Sequence, residues 1–188
     1  MAPQPLSTTQ TIGRGIIAGL AGTVIMTAFQ EFVEMPLTRR PASFAPAKFA
    51  EKMFRVHPTT EQGRNRLNWM THFALGTMWG AAYGIAARSG LRGQSAVAAV
   101  FGVVYTGDVA LNTALGLYRP LTWSAKDVAI DVIDKLVQAE ATGAIFDRFL
   151  VPAQRRDVSN SLLEEVQENR AAADVDGAFA KTDVPSAP

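Results

Sequence analysis

Residues 125–150, AKDVAIDVIDKLVQAEATGAIFDRFL, set the reading of the whole chain. Asp127, Asp131, Asp134 and Gln138 fall at i, i+4, i+7 and i+11, so a helix carries them as one narrow polar stripe. The rest of the cylinder is Val, Ile, Leu, Ala and Phe, with further charge at Lys135, Glu140, Asp147 and Arg148. Such a helix is either the water-facing wall of a soluble bundle or a membrane helix with its acids turned inward. The segments before it choose between the two.

Residues 16–29, IIAGLAGTVIMTAF, carry no charge, and their apolar pattern extends over about 12–33. In residues 69–87, WMTHFALGTMWGAAYGIAA, His72 is the titratable group besides Tyr83. Residues 94–118, QSAVAAVFGVVYTGDVALNTALGLY, hold one charge, Asp108. These lengths match the roughly 20 residues that cross about 30 Å of hydrocarbon. Mean hydropathy is only +0.08, because the charges collect between these stretches and in the tail. The expected fold is all-α: an integral membrane bundle of three spans and a fourth, amphipathic helix with its stripe inward. The expected location is the bacterial inner membrane, crossed several times.

The bulk numbers narrow the function classes. With 18 Lys+Arg against 17 Asp+Glu, no global field recruits nucleic acid. The absence of cysteine excludes disulfides, thiolate metal sites and cysteine catalysis. The 188 residues suffice for one domain, expected at 12–150 between a polar leader (1–11) and a polar tail (151–188). In the tail, NSLLEEVQENRAAA reads as a short polar helix and DVDGAFAKTDVPSAP as disordered. Arg14 before an apolar run resembles a secretory signal, but Gln30, Glu31, Glu34 and Pro36 follow where a small-x-small cleavage site would stand. A retained first helix, stopped by Pro36, is expected.

Glycines mark helix-packing faces. Gly15 and Gly19 in the first helix, with Gly22 beside them, and Gly76, Gly80 and Gly84 in the second recur every four residues. Glycines weaken a helix in water but let two backbones approach in lipid. Trp69, Trp79, Tyr83 and Tyr118 lie near the ends of apolar stretches as an aromatic belt would place them, with Trp79 and Tyr83 equally readable as core. In the first loop, SFAPAKFAEKMFRV signals a helix start at Ser43, with Phe49, Met53 and Val56 on one face and Lys48, Lys52 and Arg55 on another. A short interfacial helix, or a plain cap on the bundle, follows from that pattern. Basic residues divide almost evenly between the two sides of the membrane, and the long charged tail favours cytoplasmic termini.

Polar groups inside apolar stretches are the site candidates. Asp108 must face the bundle, be paired or be protonated, because a carboxylate against lipid costs at least about 2.5 kcal/mol. Tyr105 and Asn112 share its face. Asp131, Asp134 and Gln138 bring the stripe inward, with Lys135 in favourable i+4 order after Asp131. His72 and Glu34 complete the buried polar candidates. Each is readable as structural hydrogen bonding or as an ion or proton site. No nucleophile elbow, phosphate loop, dinucleotide fingerprint or Glu-x-x-His pair occurs, so no catalytic residue, metal or cofactor is expected.

The segments GLAGTVIMTAFQEFVEMPLTRRP, NWMTHFALGTMWGAAYGIAA and DVAIDVIDKLVQAEATGAIFDRF resemble the YagU-like group of small bacterial inner-membrane proteins over about 12–150. The most specific pieces are Glu34-Met-Pro-Leu and Asn68-Trp69…His72…Tyr83-Gly84. The resemblance implies a four-helix membrane protein with a link to acid tolerance, and carries over Glu34 and His72 as pattern positions. It also implies histidine in the last helix, where this chain has Asp134 and Lys135, so a site built on those histidines is lost or rebuilt here. The expected function is a non-enzymatic membrane protein acting by helix packing, as an accessory or scaffolding subunit or a homo-oligomer in the bilayer. The alternative is ion or proton translocation through a polar bundle core.

Overall fold

The structure, a computed structural model, describes Leu6–Leu150, and every described element is helical, with no strand among them. The expected tail helix and disordered end lie outside the described residues. Helix α1, Thr8–Phe29, starts within the expected polar leader because Ser7 and Gln10 form a reciprocal capping box (3.2 and 3.0 Å). Pro36 does not stop the helix. The chain widens into a π-turn over Gln30–Glu34 and returns to α-helix as α2, Met35–Thr38, with the proline in its first turn. Proline lacks the N–H and crowds the preceding turn; the wider turn, with Met35 N–H bonding back to the Gln30 carbonyl, absorbs that crowding. Arg39, in the left-handed region at φ 57°, ends the run.

Helix α3, Ala45–Phe54, begins after Ser43, whose hydroxyl accepts from the Ala45 N–H at 3.1 Å. Of the face expected to carry Phe49, Met53 and Val56, Phe49 is half-buried. Ala47 and Ala50 are the buried residues, while Met53, Phe54 and Val56 are exposed. The two alanines let α3 lie closely across the next helix, over Glu61–Arg88, whose Asn68 accepts from the Ala47 N–H at 3.0 Å.

Helix α4 spans Glu61–Arg88, longer than its apolar part, because Thr60 caps it through the Gly63 N–H at 3.0 Å. A turn with Gly90 at φ 89° leads to α5, Gly93–Ala114. After Gly116 and a 3₁₀ turn, Ser124 and Asp127 cap α6, Ala125–Ile145, which ends in a π-turn, Phe146–Leu150. The four long helices run alternately up and down. Helix α1 packs mostly on α4 and then on α6, while α5 closes the far side against α4 and α6.

Thr8–Thr38 and Gly93–Ala114 are long and apolar enough to cross a membrane; α4 and α6 do not reach that measure. Polar and small residues share the bundle interior with Trp79, Tyr83, Ile130 and Phe146. Helix α1 buries Thr11, Gly15, Ala18, Gly19, Gly22, Thr23 and Met26 and exposes Ile17, Leu20, Val24 and Ile25. Helix α6 buries Asp134, Gln138 and Thr142 and exposes Val128, Ile133 and Leu136.

Candidate functional site

The bundle has two unlike halves. Toward the turn between α4 and α5 it is tightly closed. A Cβ added to Gly19 would sit 2.5 Å from the Gly76 carbonyl oxygen and 2.7 Å from the Gly80 nitrogen, and one on Gly84 3.0 Å from Ile12 Cα. Gly15, Gly19, Gly76, Gly80 and Gly84 therefore face each other between α1 and α4. Gly22 meets α6 at Thr142, and Gly143 takes the Tyr83 ring and Val97. Tyr83 and Phe146 are fully buried with ring centroids 5.2 Å apart, and the Tyr83 hydroxyl donates to Asp147 at 2.9 Å. Asp147 also accepts from the Gly93 N–H at 3.0 Å, tying the end of α6 to the start of α5. Trp79 and Tyr83 are thus core residues, whereas Trp69 is 45% exposed.

Toward the loops the helices part around a cavity of 560 Å³. Each helix brings polar groups to it. From α1 and its π-turn come Thr23, Thr27, Gln30 and Glu34; from α4, His72; from α5, Asp108 and Asn112; from α6, Asp131, Asp134, Lys135 and Gln138. All the buried polar candidates of the sequence therefore line one space.

Its chemistry is a chain of hydrogen bonds around one cation. Lys135 Nζ lies between Asp108 (3.8 Å) and Asp131 (3.9 Å), the latter pair in the expected i, i+4 order. Asn112 donates to the Asp108 carboxylate at 2.9 Å, while Tyr105 stacks on Phe101 at 5.1 Å. Gln30 donates to Asp134 at 2.7 Å, and Thr38 donates to Glu34 at 2.8 Å. Thr27 gives its hydroxyl proton to the Thr23 carbonyl (2.8 Å), which leaves His72 Nε2 as donor in their 2.9 Å contact.

Gln138 forms the floor. Its side-chain Nε2 donates to the Gly19 carbonyl and the Thr23 hydroxyl, both at 3.2 Å, while the Thr142 hydroxyl donates to the backbone carbonyl of Gln138 at 2.7 Å. The polar space is a blind vestibule: below Gln138 lie the glycine seam and the Tyr83–Phe146 pair.

Two features carry chemical meaning. The wall holds Glu31, Glu34, Asp108, Asp127, Asp131 and Asp134 against Arg40 and Lys135, so carboxylates outnumber cations. Among the described residues, the buried side-chain polar atoms without a hydrogen-bond partner are Asp108 Oδ2, Asp131 Oδ2, Asp134 Oδ1 and Gln138 Oε1. All four are acceptors. Asp108 Oδ2 is the oxygen that faces Lys135 Nζ, so the ion pair compensates it, and the excess of carboxylates over cations is what makes the vestibule favour positive charge. Among the described residues, no group of three or more His, Asp or Glu is placed to hold a metal ion.

Gln30, Thr23 and Thr27 were not among the sequence candidates. Thr23 and Thr27 stand four apart with Gly19 on the same face, a readable signal; Gln30 depends on the π-turn and has none. No family model, curated protein or solved structure matches the chain.

Proposed function

We propose that the chain is a multi-pass membrane protein that binds a proton or small cation in its acidic vestibule and moves it between bundle and bulk. The distribution of side chains carries this reading. On α1, Ile17, Leu20, Val24 and Ile25 point outward while Thr11, Thr23, Gly15, Gly19 and Gly22 point inward; on α6, Val128, Ile133 and Leu136 point outward while Asp134, Gln138 and Thr142 point inward beside Ile130. In water that arrangement exposes the hydrophobic groups and buries the polar ones; in lipid both faces are matched to their surroundings. Only 28% of the apolar window in Thr8–Thr38 and 22% of that in Gly93–Ala114 is buried, unlike the core helices of a soluble bundle. Helix α1 supplies one side of both the glycine seam and the vestibule, which supports a retained segment over a cleaved leader.

The test is cation binding. Protein in lipid nanodiscs should bind protons or a monovalent cation saturably, and Asp108→Asn with Asp131→Asn should weaken this at least about tenfold. Binding unchanged by both substitutions overturns the reading. Extraction from membranes by a carbonate wash overturns the membrane assignment itself.

A second reading, the accessory subunit or homo-oligomer, has its own support. The α1 and α4 glycines are occupied by each other and offer nothing to a partner. On α5, however, Ala98, Gly102, Thr106 and Ala110 recur every four residues and are exposed. Cβ groups at Gly102 and Gly107 would meet open space. Such a small-residue stripe seats a second helix in lipid. A strictly monomeric, partner-free species in mild detergent overturns this reading.

A further inference from the structure

The connection between α2 and α4 reverses the charge of the vestibule it borders. From Arg39 to Arg66, seven Lys and Arg stand against Glu51 and Glu61. Arg64 is held by Glu51 at 2.9 Å and lies over the Phe44 ring. Among the described residues, no ion pair engages Arg39, Lys48, Lys52 or Arg55, and all four are exposed. A recess of 510 Å³ beside α3 has Arg40, Lys48 and Arg64 on its wall and no carboxylate.

Apolar side chains surround these cations. Ala47 and Ala50 turn one face of α3 onto α4, which leaves Met53 (38%), Phe54 (67%) and Val56 (40%) exposed beside Lys52 and Arg55. On the flanking helices, Leu37 and Met70 are 79% and 72% exposed. In water these apolar groups and unpaired cations have nothing to meet; at a bilayer surface both do. Long basic side chains reach the headgroups while their apolar neighbours enter the acyl boundary. Clusters of roughly four to eight Lys and Arg on such a helix attract anionic lipid. The apolar exteriors of the α1–α2 run and of α4 continue directly into these cations, which favours a lipid surface over an acidic protein.

We infer that α3 and its flanks dock on the headgroup layer of anionic phospholipid, with phosphates at Lys48, Lys52 and Arg55 and the acyl boundary at Met53, Phe54 and Val56. This rests on the membrane assignment above and is independent of what the vestibule holds.

The test is lipid-selective quenching. The chain contains no cysteine, so Met53→Cys and, on α5, Val103→Cys each give one attachment point for a fluorophore. Val103 is 75% exposed and lies in the middle of its helix. The full chain is placed in bilayers of mixed phosphatidylglycerol and phosphatidylcholine, in which one lipid or the other carries a nitroxide quencher on its acyl chain. At residue 53, phosphatidylglycerol should quench at least about fivefold more effectively than phosphatidylcholine; at residue 103 the two should quench alike. About 0.5 M salt, or Lys48→Gln with Lys52→Gln and Arg55→Gln, should bring the ratio at residue 53 close to one. The salt comparison keeps every basic residue, so it stands even where the triple variant fails to fold.

Equal quenching by the two lipids at residue 53, or a preference that survives both salt and neutralisation, overturns the inference. Quenching at residue 103 without quenching at residue 53 means that water or a protein covers α3, which overturns the inference and leaves the membrane assignment standing. Quenching at neither position removes both.

Discussion

The same four helices build a dry half and a wet half, and the difference lies in side-chain volume. In the half near the α4–α5 turn, glycines bring α1 against α4 until no methyl group fits between them. In the half near the loops, Asp, Gln, Lys and Trp hold the helices apart around 560 Å³. Close approach excludes water and makes shape the governing quantity. Separation admits polar groups and makes charge the governing quantity. Substitutions in the two halves should therefore fail in different ways.

The largest effect is expected in the closed half. Gly80→Ile puts a branched side chain where a Cβ already lies 2.8 Å from Gly19 Cα. Backbone cannot yield as a side-chain tip can, so the loss should reach about 3 kcal/mol. Melting in mild detergent should fall by roughly 6–12 °C. A variant melting within a degree of the parent would mean that the seam is not closed as described.

The open half should respond to charge at nearly constant volume. Lys135→Met leaves Asp108 and Asp131 facing each other uncompensated. Because these side chains remain 22–23% exposed, the expected loss is about 1–2 kcal/mol, below that of a fully buried pair. Adding Asp108→Asn should recover part of it, measured as a double-mutant cycle. Additive losses would show that Lys135 does not bridge the two acids.

Smaller still is Tyr83→Phe, which keeps the ring against Phe146 and removes the hydroxyl donated to Asp147. A loss of about 1 kcal/mol is expected, with cation binding in the vestibule unchanged. The smallest effect separates the two classes of glycine. Gly107→Ala meets open space and should shift stability by less than about 1 kcal/mol, in the stabilising direction for a helix interior. A large loss there would move the packing seam onto α5.

Much of this contrast is legible in residue spacing. Glycines every four residues mark two helix faces, and Asp131, Asp134 and Gln138 mark the inward stripe, because helical periodicity alone places each set on one side. Spacing also puts Asn112 one turn from Asp108 and Lys135 one turn from Asp131. Other features had no such signal. Pro36 reads as a stop, yet a π-turn carries the helix past it and brings Gln30 to Asp134. Spacing puts Phe49, Met53 and Val56 on one face of the segment but does not show that Ala47 and Ala50 are the residues buried; the smaller residues permit the closer crossing.

By itself the sequence determined which faces are small, which are polar and which are apolar, since local periodicity is a property of the chain alone. Only the tertiary structure decided that the two glycine faces occupy each other, and that polar groups from α1, α4, α5 and α6 converge on one vestibule. Pairing between segments more than a hundred residues apart, such as Gln30 with Asp134, depends on how helices cross rather than on local spacing. Close contact at the glycines sets that crossing, and the larger side chains beyond them hold the other end open.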